Sequence, residues 1–499
     1  MRSLGQKTPV RDLLRDPAWR EEEVGFPLPD SPHACLVSLP TWPAVIGYEE
    51  GDPDVVEKMR AGYPRFFLHP ITSRYLASLE ERYAGPDERV MAYSSAGAAE
   101  RAHAFVRTRT GLRGRSVEEN PSLLVVPAEG YMAARDYWKH TGELISSRQA
   151  EDGLAGVAPD TSRLEKSRAA LASVMEAAVE DAFFFESGMA AIFTLHRLVT
   201  NRCPGKKTLQ LSFPYVDALK VQERFGSGVD FINDPRGREL HACLLAIRKG
   251  EYAAVFCEVP SNPLLNTVDL AAVADACRES GTPLLVDDTV CSHLNVDLSD
   301  HADAVSTSLT KWVSGIGDVM AGSILLNPRS PFATEFRDGL GQEVPGGMRL
   351  YPRDVEVLLE NAAGLAERVA ECNRNGMAVA EFLEGHRAVA RVWYPAFVDR
   401  EAYETLRRPG AGYGALMSFT LARPERAPEV YRAMRFSKGP SLGTDYSLLC
   451  PYALLAHYTE REWANECGVP PELLRLSVGR EPVSELCGRL DEGLSQACD

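Results

Sequence analysis

The sequence predicts an α/β protein, a mostly parallel sheet flanked by helices and followed by a smaller α/β C-terminal domain. Three observations point there. Between about residues 160 and 330, the apolar runs AFFFES, TLQLSF, YAAVFCEVP, TPLLVDDTV, ADAVSTS and SILLNP alternate with helical stretches, as expected of parallel strands returned through covering helices. The run TPLLVDDTV ends on two acids, Asp287 and Asp288, at the strand end where such folds place ligand-binding groups. AFFFESGMAAIFTLHRLV reads as strand, Ser-Gly turn and helix, and the amides at a helix N-terminus suit an anion.

Taken in order, residues 1–75 read as an N-terminal arm, rich in proline and acids and poor in periodicity. Arms of this composition often cross onto a neighbouring subunit. At its end, AGYPRFF sets Tyr63 and Arg65 one residue apart in extended chain. Arg65 is either a surface arginine beside a packed aromatic or a phosphate clamp, since the guanidinium fork matches such anions. Residues 76–165 read as a helical insert. Its basic run RTRTGLRGRSVEEN is most simply a solvated loop, and YWKHTGELISSRQAE gathers Trp138, His140, Ser147 and Arg148.

Residues 166–345 form the large domain. Two of its loops stand out. FPYVDALKV carries Tyr215, able to stack on a planar ring or simply to pack, and EVPSNPLLN carries Asn262 in a Ser-Asn-Pro turn. Residues 346–499 form the small domain. A long amphipathic helix is predicted from near Pro352, with Val355, Leu358, Leu359, Ala362, Leu365, Val369 and Cys372 on one face. RVWYPAF and ALMSFTL read as strands, PSLGTDYSLLCPY as a turn, and Arg475 lies in a short strand-like run. A closing helix from Pro482 turns Leu486, Leu490 and Leu494 inward.

The chemistry centres on Ser-Thr-Ser-Leu-Thr-Lys, ending at Lys311 and followed by glycines. A lone lysine in a Gly/Ser loop is ordinarily a solvated surface residue, and it is the neighbours that give this one another meaning. A phosphate turn at Ser187, Gly188 and Met189, then a strand-end acid able to keep a pyridine nitrogen protonated, then a lysine in a hydroxyl-rich loop, is the order expected of a pyridoxal-phosphate enzyme of fold type I. Lys311 is the candidate Schiff-base lysine.

A net charge of −16 argues against general binding to nucleic acid or anionic membrane, both of which would be repelled, and favours a small-molecule enzyme. No apolar stretch approaches the roughly 20 residues of a membrane span. The eleven cysteines are scattered without CxxC pairs and no signal-like run opens the chain, so a cytoplasmic protein with reduced thiols is expected. No histidine spacing suggests a metal site.

Together SGMAAI, the SNP turn, the strand-end Asp, Ser-x-Thr-Lys, SLG and LxRLSVGxE resemble the cystathionine γ-synthase group of the Cys/Met-metabolism pyridoxal-phosphate enzymes. The likeness runs from about residue 60 to the C-terminus. GYPRFF, GYEEG, HTGELISSR, TSLTK and CPYALLAHY resemble the long fungal type in particular. The resemblance implies that Lys311 binds the cofactor and shuttles protons, Asp287 pairs with the pyridine nitrogen and Tyr215 stacks on the ring. It implies that Gly188, Met189, Ser308 and Thr310 hold the phosphate, with Tyr63 and Arg65 contributed by a neighbouring subunit. It further implies that Arg475, helped by Ser441 and Asn262, binds the substrate α-carboxylate, in a dimer or dimer of dimers with shared active sites. Two positions depart from the pattern. Val-Asp-Asp-Thr stands where the family commonly has Val-Asp-Asn-Thr, and Tyr446 occupies a glutamate position that lies near substrate in the family.

The activity implied is γ-replacement, an O-acylhomoserine joined to cysteine as cystathionine, the transsulfuration step of methionine biosynthesis. The alternative is β- or γ-elimination, or γ-substitution, on an unusual amino acid of a specialised pathway. A third reading, a catalytically dead binding or regulatory relative, is opposed by the joint presence of Lys311, Asp287 and Arg475.

Overall fold

A computed structural model describes residues 11–497; the first ten residues of the expected arm lie outside them. Within the arm, Thr41 caps helix α1 (Trp42–Glu50) by accepting from the Ala44 N–H. The arm packs on its own chain. Ala18, Leu28 and Leu36 are buried with Tyr446 and Leu448 of the small domain, and Leu39 N–H donates to the Lys438 carbonyl at 2.8 Å.

The segment expected to be a helical insert also carries a three-stranded sheet. After α2 (Pro70–Tyr83) come β1 (Glu88–Tyr93), α3 (Ala96–Thr110), β2 (Arg115–Val117), β3 (Ser122–Pro127) and α4 (Tyr131–Thr141). The strands form an antiparallel sheet in the order β1-β3-β2. The physical reason lies in VMAY and LLVV, whose eight residues are buried to the last. Such short, fully buried apolar runs lack the alternation that marks a half-exposed strand.

The large domain carries β4 (Ala182–Phe185), α5 (Gly188–Arg202), β5 (Thr208–Leu211), α6 (Val216–Phe225), β6 (Val229–Ile232), β7 (Val255–Glu258), β8 (Leu284–Asp287), β9 (Ala304–Thr307) and β10 (Gly322–Leu326). Its seven-stranded sheet runs β4-β10-β9-β8-β7-β5-β6. Pairing is parallel from β9 across to β6, and β10 is antiparallel to both of its neighbours. Six of the seven strands coincide with the six apolar runs. The seventh, β6, is an edge strand whose residues are all half-buried, so it lacks the apolar run that marks the others.

In the small domain the predicted long helix is two, α7 (Pro352–Asn361) and α8 (Leu365–Glu384), separated by Gly364 at φ 74°. The sheet there runs β11-β12-β15-β14-β13, from β11 (Val389–Trp393), β12 (Leu416–Leu421), β13 (Ser437–Lys438), β14 (Leu448–Pro451) and β15 (Leu474–Ser477). The closing helix α9 (Val483–Leu494) buries Leu486, Leu490 and Leu494 completely. Among the described residues no helix is long and apolar enough to cross a membrane.

Candidate active site

Beyond the carboxyl ends of β7 and β8 lies a cavity of about 670 Å³. Its wall includes Tyr63, Arg65, Gly188, Met189, Tyr215, Asn262, Asp287, Ser308, Lys311, Ser441 and Arg475, eleven of the residues singled out from the sequence. Three elements of the fold meet there: the strand ends and loops of the large sheet, the 440–442 loop and β15 of the small domain, and the end of the arm.

Lys311 follows β9 in the connection to its antiparallel neighbour β10. Its Nζ donates to Ser441 Oγ at 2.6 Å and lies 4.7 Å from the centre of the Tyr63 ring. Burial, helped by the positive charges of Arg475 and Arg65, pulls the amine down to about 7. Near neutral pH a substantial share of it is therefore uncharged and nucleophilic.

Ser441 is held in turn. Arg475 Nη2 donates to its carbonyl at 2.8 Å while Nη1 donates to Asn262 Oδ1 at 2.9 Å. Ser441 has φ 116°, a conformation costing a non-glycine residue of order 1–3 kcal/mol, and these contacts on its carbonyl and hydroxyl keep it there. The arginine suited to a carboxylate and the lysine suited to a carbonyl carbon are thus joined through one serine.

Asp287 ends β8 and accepts from the Thr289 N–H at 2.8 Å. Across the sheet Glu258 ends β7 in register with it. Sequence reasoning passed over Glu258, although EVP places it at a strand end as TPLLVDD does Asp287. Its carboxylate accepts from the Tyr215 N–H at 2.6 Å and the Asn262 N–H at 3.2 Å, fixing both loops. Burial pushes both acids up, and the nearby Asp287 charge raises Glu258 further.

The anion side is built around Arg65, 1% exposed. Its Nη1 donates to the Lys139 carbonyl at 2.5 Å and to Asp217 Oδ2 at 2.7 Å, and its Nη2 donates to the Tyr215 hydroxyl. Opposite, Gly188 opens α5, and a Cβ there would come within 2.7 Å of Ser308 Cβ. Only glycine lets the helix N-terminus approach the lysine turn this closely.

Three expected contributors stand outside this wall. Ser187 is the N-cap of α5, its hydroxyl accepting from the Ala190 N–H and donating to the Gly142 carbonyl. Thr310 staples the lysine turn to the Ala321 backbone. Tyr446 is buried against the arm, its hydroxyl reaching the Ile316 carbonyl at 3.4 Å. Tyr63 and Arg65, expected from a neighbouring subunit, stand beside Lys311 of their own chain. Of the gathered insert residues, Trp138 donates to the Pro64 carbonyl at 3.2 Å and His140 bonds Asp217. Ser147 and Arg148 point elsewhere, to His33 and to Asp318 and Asp354.

The residues present fit pyridoxal phosphate. A nucleophilic lysine, the half-buried strand-end acid Asp287, and a helix N-terminus and an arginine that line the same cavity supply partners for aldehyde, ring nitrogen and phosphate. Among the described residues no His/Cys/Asp/Glu group could hold a metal ion.

Comparison with known proteins gives the same group. Residues 157–495 match the family model described as Cys/Met metabolism PLP-dependent enzyme. Residues 74–146 match that of the fungal trans-sulfuration enzyme N-terminal domain, a stretch within the expected insert but for its first two residues. A cystathionine gamma-synthase of Neurospora crassa is 29% identical over 95% of this chain and 98% of its own. An L-2-amino-4-chloropent-4-enoate dechlorinase/desaturase of Streptantibioticus cattleyicolor is 31% identical over 91% and 95%. Among solved structures, the cystathionine gamma synthase of Xanthomonas oryzae pv. oryzae in complex with cystathionine superposes with TM-score 0.56 at 28% identity, covering 66% of this chain and 84% of that one.

Proposed function

For a chain that belongs to the Cys/Met metabolism PLP-dependent enzymes, we propose γ-replacement, in which an O-acylhomoserine and cysteine give cystathionine and the free carboxylic acid. The observation that carries this reading is the Lys311–Ser441–Arg475 linkage, which sets a proton-carrying amine beside a carboxylate-binding guanidinium in one cavity.

Bound pyridoxal phosphate supplies an aldehyde that condenses with amines and a protonated ring that takes up the electrons released at an α-carbon. Lys311 would hold its aldehyde carbon, Asp287 its ring nitrogen and Tyr215 its ring face. Gly188, Met189 and Ser308, with Arg65 and Tyr63, would hold its phosphate. Arg475 receives the substrate α-carboxylate, its fork oriented beforehand by Asn262 and Ser441. That anchoring presents the α-proton to Lys311, which takes it as general base and returns protons along the chain as the γ-C–O bond breaks and the γ-C–S bond forms. Glu258 keeps Tyr215 and Asn262 in place through this traffic.

Elimination is the second reading, favoured by the 31% identity to an enzyme named for dechlorination and desaturation. One assay separates the two. O-Succinyl- and O-acetylhomoserine are supplied with and without cysteine and the products are read by mass spectrometry. Cystathionine formed only with cysteine, and lost in Arg475→Ala, is the expected result. Keto acid and ammonia regardless of thiol would replace this reading with a lyase, and inertness to both donors would point to another γ-substituted substrate.

A further inference from the structure

The turn that opens α5 is held from behind by the insert. Gly142 ends α4 at φ 69° and presents its carbonyl to Ser187, whose hydroxyl donates to it at 2.9 Å while accepting from the Ala190 N–H. A Cβ on Gly142 would collide with Ser187 Oγ and come within 2.9 Å of Met189 Cβ. The insert thus abuts the first turn of the helix whose Gly188 and Met189 line the cavity.

A second tie runs through charge. Arg349 N–H donates to the Phe184 carbonyl at 2.9 Å, which fixes this arginine beside β4, the strand that leads into the turn. Its guanidinium spans two acids. Nε and Nη2 donate to Glu186 at 3.1 and 2.8 Å, and Nη1 donates to Glu143 Oε1 at 3.2 Å. Glu186 stands directly before Ser187 and also accepts at 2.5 Å from Ser94 Oγ, just past β1. Glu143, next to Gly142 and fully buried, accepts from the Tyr137 hydroxyl of α4 at 2.5 Å and from Arg101 of α3. Burial works against a charge on Glu143, but Arg349 and Arg101 bring it down to about 2, so it is ionised at neutral pH.

Both ties end on the same two residues, Glu186 and Ser187, at the entrance to α5. A buried ion pair adds little net stability over an apolar contact; what the Arg349 fork adds is direction. We propose that the insert sets the phosphate turn, with Gly142 and Glu143 as positioning residues for the α5 N-terminus, the one acting through Ser187 and the other through Arg349 and Glu186. The proposal rests on reading that N-terminus as the receiver of the cofactor phosphate and is independent of which amino acid is turned over.

The test compares pyridoxal phosphate with pyridoxal, which keeps the aldehyde and ring and lacks the phosphate. Each is titrated calorimetrically into the full-length protein freed of cofactor. In Gly142→Ala and in Glu143→Gln, affinity for pyridoxal phosphate should fall about 10-fold, the worth of one or two buried hydrogen bonds, while that for pyridoxal stays within about twofold. Tyr137→Phe removes one hydrogen bond to Glu143 with little change in volume, so it carries the test if the other two variants do not fold. It should lower the advantage of the phosphorylated form about threefold.

Equal loss of both affinities would make the insert a supporting wall and overturn the proposal, and so would no loss of either. A wild type that binds the two forms equally would overturn the phosphate-turn reading and the proposal with it. A wild-type preference that every variant retains overturns the role of the insert alone. Absence of cystathionine in the product assay touches none of these outcomes.

Discussion

At the scale of single residues, burial sets the chemistry. Lys311 loses water and gains the neighbouring charges of Arg475 and Arg65, and its amine falls to about 7 against an ordinary 10.5. Capture of a carbonyl requires the neutral amine, so the rate at which stripped protein takes up pyridoxal phosphate should climb with pH up to about 7 and level off above it. Removing one of the two positive neighbours, in Arg475→Ala, should move that inflection upward. Stopped-flow absorbance across roughly pH 5.5–9.5, a span that brackets the shifted amine, checks both, and a wild-type rate still climbing without a plateau at the top of that span would contradict the environment described for Lys311. The extra acid of the Asp-Asp pair behaves differently. Asp288 accepts from Thr307 Oγ1 at 2.6 Å, and burial lifts it to about 7. It is thus mostly neutral in mildly acidic solution and leaves Asp287 to meet a ring cation.

At the scale of elements, what could be read from the sequence follows how each piece is buried. Strands β4, β5, β7, β8, β9 and β10 are short and apolar, and turn or helix signals bound them, so their runs are plain. β14 is hidden inside SLGTDYSLLCPY, where turn residues surround four strand residues. The helix predicted from Pro352 shows the reverse error. Val355, Leu358, Leu365, Val369 and Cys372 are all buried, so the apolar face continues across the break and periodicity alone reads one helix. What divides it is Gly364, the left-handed N-cap of α8 at φ 74°. Added side-chain bulk would meet open space there, with Glu367 Oε2 at 3.9 Å the one neighbour within reach. Gly364→Ala should therefore cost only the conformational penalty, about 1 kcal/mol, seen as a lowered urea midpoint with cofactor affinity unchanged. A loss several times larger would mean that α7 and α8 move when the turn is strained.

At the scale of the whole molecule, the site is where separately encoded parts converge, and convergence is what a linear reading sees least. Lys311, Asp287 and Arg475 announce themselves through their local motifs. Asp217 and His140 do not, because 77 residues separate them and only the packing of α4 against α6 brings them together. Composition marks the first residues as an arm but carries no information on whose surface it covers. On this chain the arm is bound to the small domain through Lys438, whose side chain is fully buried. Its Nζ donates to the carbonyls of Pro40 at 3.2 Å and Arg432 at 2.9 Å and lies 5.0 Å from the Tyr431 ring. Burial pulls this amine to about 7 from 10.5. Between those values the unfolded chain binds a proton that the folded chain does not, so the contribution of Lys438 to stability rises with pH, by at most about 1.4 kcal/mol per unit. Below about 7 both states are protonated and the dependence ends. Lys438→Met removes the titrating group, so urea unfolding at about pH 7.5 and about pH 9.5, both inside that window, should show the wild type gaining stability relative to the variant. Parallel profiles would mean that the amine stays charged when folded. The arm would then be held by a solvated ammonium, and its packing on the small domain would be looser than the contacts of Leu39, Pro40 and Tyr431 require.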